Sequence, residues 1–204
     1  MFGLVAVAAS VSMAFVGVSS ALAEGSTAVC ETHTAATCAS PVSLVTFHQT
    51  GTSTLVLGST TILCLSGNLE GHVEGGFTHL ANPLGIEVLI LDFSQCGTNA
   101  AHSNCEVTAT KKGLLDLLKT ALNLGTATYL GVNLLVKCIG IECNVGGSEI
   151  KGFELIGALH TASAGHGLVI ANNLSMPTSG TFCPSGVAHW TAKFEPLVHL
   201  YLLE

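Results

Sequence analysis

The chain has 204 residues, a formal charge of −7 and 9% charged residues, against about 25% in an ordinary globular domain. All six basic residues are Lys. That composition excludes the basic surface needed to neutralise nucleic-acid phosphates, and clamps on phosphate or carboxylate built from Arg. With 49% apolar residues and five Pro the chain can bury a core, so low charge here does not mean disorder.

Residues 1–23 read as a cleavable signal peptide. An apolar run from Phe2 to Val18 leads through Ser19 and Ser20 to Ala21-Leu22-Ala23. Small residues at Ala21 and Ala23 suit signal peptidase, so cleavage is expected before Glu24. No later segment reaches the roughly 20 apolar residues of a membrane-spanning helix, so no span is expected after cleavage. Residues 24–40 form an N-terminal segment with little periodic pattern, and 41–204 a single β-rich domain. The expected location is extracellular or at the cell surface.

Short apolar runs between Gly, Asn, Ser and Thr follow, the pattern of an all-β chain. Strands are predicted over 42–48, 54–57, 60–66, 68–74, 85–94, 104–111, 126–138, 149–157, 166–171 and 187–194, with a last one near 197–203. In the strand at 85–94, Ile86, Val88 and Ile90 alternate with Glu87, Leu89 and Leu91. Both faces are apolar there, which implies a strand buried on both sides. Leu114, Leu118 and Leu122 fall at helical spacing, so a short helix is expected over 113–123. Near the end, Ala188, Trp190, Ala192 and Phe194 alternate with His189, Thr191, Lys193 and Glu195, placing the first set in the core. Trp190 then reads as a core residue, close in sequence to Cys183, rather than as a sugar-stacking platform.

Eight cysteines lie in the mature part, and an even number in an exported chain reads as disulfides. Spacing suggests three local staples, Cys30–Cys38, Cys96–Cys105 and Cys138–Cys143, and one long-range bridge, Cys64–Cys183. The predicted fold is a disulfide-stapled β-sandwich, Ig-like or jelly-roll-like, with 64–183 joining its two sheets. A closed β-barrel is the alternative.

Several blocks resemble uncharacterised secreted proteins of high-GC actinobacteria. They are Thr61-Ile62-Leu63-Cys64, Leu91-Asp92-Phe93-Ser94-Gln95-Cys96 with Cys105-Glu106-Val107-Thr108, and Phe182-Cys183-Pro184-Ser185 running to Trp190-Thr191-Ala192-Lys193-Phe194. The resemblance implies a signal peptide and one disulfide-stapled β domain. It brings no activity, cofactor or catalytic residue.

No motif carries chemistry. Nine His are present, and His160 with His166, His72 with Glu74, and His189 with His199 were weighed as metal ligands. None has the spacing of a zinc site. Asp92 and Asp116 are the only Asp, too few for a calcium loop. There is no Gly-x-Ser-x-Gly elbow, and Gly75-Gly76 and Gly146-Gly147 read as turns, not phosphate loops. Lys111-Lys112-Gly113 reads as a solvated turn and Asp92 as a turn or ladder-end hydrogen-bonding group. The expectation is a non-enzymatic secreted or cell-surface binding or structural domain without a cofactor. Its partner would be a cell-envelope component or an extracellular protein. The rivals are an extracellular hydrolase with a site assembled in space, and a His-based metal-binding protein.

Overall fold

The structure, a computed structural model, describes residues 28–34, 37–74, 83–98, 104–121, 124–156, 168–184, 186–197 and 201–203. The signal peptide expected over 1–23, His160, His166, His199 and Gly75-Gly76 lie outside the described residues. The described residues form strands and no helix.

Three strands, β1 (Ala28–Thr34), β2 (Thr37–Pro41) and β15 (Tyr201–Leu203), make a small antiparallel sheet in the order β15-β1-β2. The described residues before 41, at 28–34 and 37–40, are therefore sheet rather than loose chain. The remaining strands are β3 (Leu44–Gln49), β4 (Ser53–Leu57), β5 (Thr60–Val73), β6 (Leu84–Gly97), β7 (Cys105–Lys111), β8 (Leu114–Ala121), β9 (Leu124–Leu130), β10 (Asn133–Cys138), β11 (Ile141–Gly146), β12 (Glu149–Ile156), β13 (Leu168–Ser179) and β14 (Val187–Pro196).

These strands are eight long staves, four of them bent. β3 runs into β4, β7 into β8, β9 into β10 and β11 into β12, and both members of each pair stay paired with the same neighbouring staves across the break. The staves pair in chain order, all antiparallel, and β14 returns to β3 and β4. The result is a closed up-and-down barrel of eight staves, not the sandwich that strands of unequal length had suggested. The apparent inequality comes from mid-barrel bends at Gly51, Gly113, Gly131 and Gly146, all with positive φ. At Gly113 and Gly146 glycine is also required sterically. A Cβ on the first would overlap the Leu130 carbonyl, and on the second the Val132 carbonyl.

The helix expected over 113–123 is β8 as far as Ala121, and 122–123 lie outside the described residues. Its Leu residues obey period two. Leu115 and Leu117 are buried between Ile86 and Leu84 on β6 and Tyr129 and Ala127 on β9. Burial between two staves outweighs the small helical preference of Leu. The strand at 85–94 is also not buried on both sides. A bulge opposite Glu70 and Gly71 shifts the phase, so Leu91 points inward while Leu89 and Ile90 are each 39% exposed.

Inside the barrel the side chains form one contiguous apolar core. Ala188, Trp190, Ala192 and Phe194 are all buried there, as their alternation required. Trp190 meets Phe93, Phe153 and Phe194 edge-on, with ring centroids 5.7–6.2 Å apart. Outward positions carry mostly Thr, Ser, Asn, Lys and Glu, the reverse of a barrel facing lipid. No helix among the described residues is long and apolar enough to cross a membrane.

The disulfides differ from the expected pairs. Cys64 bonds Cys96, Cys105 bonds Cys138 and Cys143 bonds Cys183. The bridges 96–105, 138–143 and 64–183 are therefore not formed. Cys138 and Cys143 sit on one hairpin, but Cys143 is opposite Val136 and Cys138 opposite Ile141, so their side chains are out of register. Cys64 and Cys96 are direct register partners, as are Cys105 and Cys138, with Cα atoms 4.1 and 4.3 Å apart. Those distances are close to the roughly 4.5 Å of a close antiparallel pair, just short of the usual disulfide span of about 4.4–6.8 Å. Cys30 is disulfide-bonded too, while the side chain of Cys38, and with it the 30–38 bridge, lies outside the described residues.

Both ends of the barrel are covered. At one, buried Val29, Cys30 and Val42 join the small sheet to the core. At the other, the connection after β13 is tied down by Cys143–Cys183, while Pro184 lies against Gly58 and Thr178 Oγ1 donates to the Gly186 carbonyl at 2.8 Å.

Candidate binding face

Among the described residues the barrel interior is packed with apolar side chains, and the polar side chains lie mostly on the outer wall. One part of that wall concentrates hydrogen-bonding groups. Antiparallel register aligns Glu195 on β14 with His48 on β3, His48 with Asn68 on β5, Asn68 with Asp92 on β6, and Asp92 with Thr108 on β7. Register partners point to the same face, so five polar side chains form a row across five staves.

The row is partly wired. The Asn68 backbone N–H and its Nδ2 both donate to Asp92 Oδ1, at 2.9 and 3.1 Å. Thr108 Oγ1 donates to Glu106 Oε1 at 3.1 Å. Lys193 and Glu195, two residues apart on β14, form an ion pair at 3.3 Å. Within the row His48 Nδ1 is buried without a hydrogen-bond partner, as is Oγ1 of Thr50, just past the end of β3 and outside the row. Unpaired buried polar atoms are uncommon in folded proteins and call for an explanation.

Beside the row lies a groove of about 510 Å³. It exists because β6 and β7 pair at Asp92–Thr108 and at Cys96–Cys105 but not between. β6 has three residues there where β7 has two, and Gln95 takes the left-handed conformation at φ 52°. The groove is lined by polar Asp92, Ser94, Gln95, Glu106, Thr108 and Lys112 and, to a greater extent, by apolar residues that include Ile90, Phe93, Val107 and Ala109. Lys112 Nζ donates to the Leu89 carbonyl and keeps a positive charge beside Asp92 and Glu106 in the same lining. A second hollow, of about 310 Å³, lies at the glycine bends beside Lys111, Asn133, Ser148 and Ser179.

Behind the face, Gln49 replaces missing backbone pairing. Its side chain points inward, where β3 and β4 bend away from β5, and Nε2 donates to the Gly51 and Cys64 carbonyls, each at 2.8 Å. Gly67 leaves room for this amide, since a Cβ there would stand 2.9 Å from Gln49 Oε1.

The residues weighed from sequence fall elsewhere or into other roles. Among the described residues no three His, Cys, Asp or Glu converge as a metal site. His72 and Glu74 are exposed at the end of β5. Asp92 lies within β6, not at a strand end, and bonds Asn68. Lys111-Lys112-Gly113 and Gly146-Gly147 are bends within staves, between β7 and β8 and between β11 and β12. Asp116 has its carboxyl held above the ordinary range by desolvation. Tyr129 is raised further, because its hydroxyl is buried in the core without a partner. The nearest approach to a nucleophilic pair is Ser175 Oγ and His189 Nδ1, 3.5 Å apart. Across the strand from His189 stands Val56, where a triad would need a carboxylate.

His48, Thr50 and Asn68 had no distinguishing signal in the sequence. They are separated by 20 residues of chain and by more than 120 from Glu195, and only strand register brings them together. Compared with protein families, curated proteins and solved structures, the chain matches none of them.

Proposed function

We propose that the protein is a secreted, non-enzymatic binding domain that holds a cell-envelope component against the outer face of β14, β3, β5 and β6. The observation that carries this reading is the row of outward polar side chains from Glu195 to Thr108, with a groove at its end. The rest of the molecule supports it. The interior is filled by side chains, so a ligand has no place inside. Cys64–Cys96 staples the two staves that carry Asn68 and Asp92. Disulfides fit an oxidising compartment outside the cytosol. The actinobacterial resemblance and the signal peptide of residues 1–23 belong to the same proposal.

The test is sedimentation of the exported protein with purified bacterial cell walls. Wild type is expected in the pellet. Asn68→Trp, which fills the face, is expected in the supernatant, and Thr128→Trp on the opposite wall in the pellet. If walls release soluble fragments during incubation, the hydrolase rival replaces the binding reading. If Asn68→Trp pellets like wild type, this face is not the binding surface.

A further inference from the structure

We infer that Cys64, Cys96, Cys105 and Cys138 are a redox switch, in which two-electron reduction by a thiol exchanges the bonds Cys64–Cys96 and Cys105–Cys138 for a single bond, Cys96–Cys105, across the β6–β7 seam. The switch is independent of what the outer face binds.

Register sets the four cysteines in one row. Cys64 on β5 is opposite Cys96 on β6, Cys96 is opposite Cys105 on β7, and Cys105 is opposite Cys138 on β10. Register partners point to the same face. They stand about 4.5–5.5 Å apart at Cα, and a disulfide spans about 4.4–6.8 Å. The central pair, Cys96 and Cys105, is thus placed to bond much as the two outer pairs do.

The number of oxidised sulfurs decides between the pairings. With all four oxidised, only the outer pairing uses every sulfur. A central bond would leave Cys64 and Cys138 three stave spacings apart, roughly 14 Å, which no disulfide reaches. After two-electron reduction one bond remains for four sulfurs, and the central pair becomes open to it.

Exposure sets the order of steps. Cys64 and Cys96 are 5% and 2% exposed, whereas Cys105 and Cys138 are only partly buried. A small thiolate attacks Cys138 Sγ, bonds to it and releases Cys105 as thiolate. Cys105 Sγ attacks Cys96 Sγ across the seam. The Cys96–Cys105 bond forms, the Cys64–Cys96 bond breaks, and Cys64 leaves as thiolate and takes up a proton. A second small thiolate frees Cys138 from the mixed disulfide, and Cys138 is protonated in turn. The reductant ends as one disulfide, its two protons on Cys64 and Cys138.

The new bond crosses the seam whose ladder is interrupted, β6 and β7 being paired only at Asp92–Thr108 and Cys96–Cys105. Both central cysteines line the groove that opens there. β5–β6 and β7–β10 stay paired by their own ladders without the outer staples. The bonding state therefore sets whether the two walls of the groove are tied to each other or each to the stave behind it.

The test is thiol labelling of Cys138→Ala, in which Cys105 lacks its outer partner and no reductant is needed. The exported variant is held near the ordinary thiol pKa of about 8.5, quenched with iodoacetamide and digested without reduction. The expected result is label divided between Cys105 and Cys64, with Cys96–Cys105 bonded wherever Cys64 is labelled. Label on Cys105 alone, with Cys64–Cys96 intact, would overturn the switch. Wild type titrated with dithiothreitol, whose two thiols take the two reducing steps, gives a second reading that does not depend on the variant folding. Among these four cysteines, a two-thiol species labelled at Cys64 and Cys138 is expected. A two-thiol species labelled at Cys105 and Cys138, or direct passage to four thiols, would mean plain reduction of the staples and would overturn the switch as well.

Discussion

Cys96 and Cys105 face each other in register across β6 and β7, yet each bonds away from the other, Cys96 to Cys64 on β5 and Cys105 to Cys138 on β10. The four cysteines thus form one row across four staves. Two staples flank the β6–β7 gap and leave the groove beside it unbridged. The nine-residue spacing of Cys96 and Cys105 had suggested a loop staple, but the row offers each Cys a second partner that is equally close in space. This connectivity gives a sharp test. Tryptic cleavage after Lys137, Lys151 and Lys193 should leave peptide 138–151 linked both to the N-terminal part, through Cys105–Cys138, and to peptide 152–193, through Cys143–Cys183. Short-range pairing would release 138–151 with an internal bridge, which non-reducing mass spectrometry distinguishes. Loops of 32 and 33 residues should each contribute about 3–4 kcal/mol by loop-closure entropy. Paired Cys→Ala variants are expected to lose up to that amount in urea unfolding.

Gln49 supports the face from behind. Replacing it with Leu leaves the Gly51 and Cys64 carbonyls without their side-chain donor in the interior. Unmet buried acceptors cost about 1–3 kcal/mol each, so Gln49→Leu should destabilise by roughly 2–4 kcal/mol. An unchanged denaturation midpoint would mean that the amide does not bridge the bend.

Gly113 and Gly131 separate two causes of glycine dependence. Both have φ near +70°, at 68° and 69°. Only Gly113 is crowded, by the Leu130 carbonyl, whereas nothing lies within 4 Å of a Cβ on Gly131. Gly131→Ala should cost about 1–2 kcal/mol, the strain of a left-handed alanine. Gly113→Ala should cost clearly more, with loss of the bend. Equal midpoints for the two variants would refute the steric account.

Tyr129 is 1% exposed and its hydroxyl has no partner. The folded state therefore keeps the phenol protonated above its ordinary value of 10.0. Its contribution is complete below about pH 10, where the unfolded tyrosine ionises, and declines as pH rises beyond that. Tyr129→Phe removes a desolvated hydroxyl at no cost in shape. It should raise stability by about 1 kcal/mol at neutral pH and flatten the alkaline decline. A destabilised variant would show that the hydroxyl has a partner, such as a buried water.

Asp116 gives the milder case. Desolvation raises its carboxyl above the model-peptide 3.8. The folded state then binds the proton more tightly than the unfolded one, so stability declines as pH rises through the acid range. Asp116→Asn should be slightly more stable than wild type at pH 7, with the gap closing below the unfolded carboxylate value. Thermal melts at pH 3 and pH 7 check the sign.

The all-β class, the even cysteines and the Ala188–Phe194 core face were legible because period two and composition are local properties of the chain. So was the burial of Trp190, whose alternating neighbours already placed it inside. The helix over 113–123 misled because Leu spacing alone cannot weigh burial between Ile86 and Tyr129. The sandwich misled because the strands read as unequal in length: the bends at Gly51 and Gly113 split two staves, and β11, Ile141–Gly146, was not read as a strand at all. Barrel closure, disulfide partners and the polar row share one cause. All three depend on which strand lies beside which, and on register to the single residue. The amino-acid sequence by itself determined that this protein builds sheets with an apolar inside, a weakly charged outside and paired cysteines. Only the tertiary structure decided that the sheet closes, that Cys96 turns from Cys105 to Cys64, and that His48 stands between Asn68 and Glu195. Those outcomes come from long-range strand pairing, whose energy lies in contacts between residues far apart in the chain.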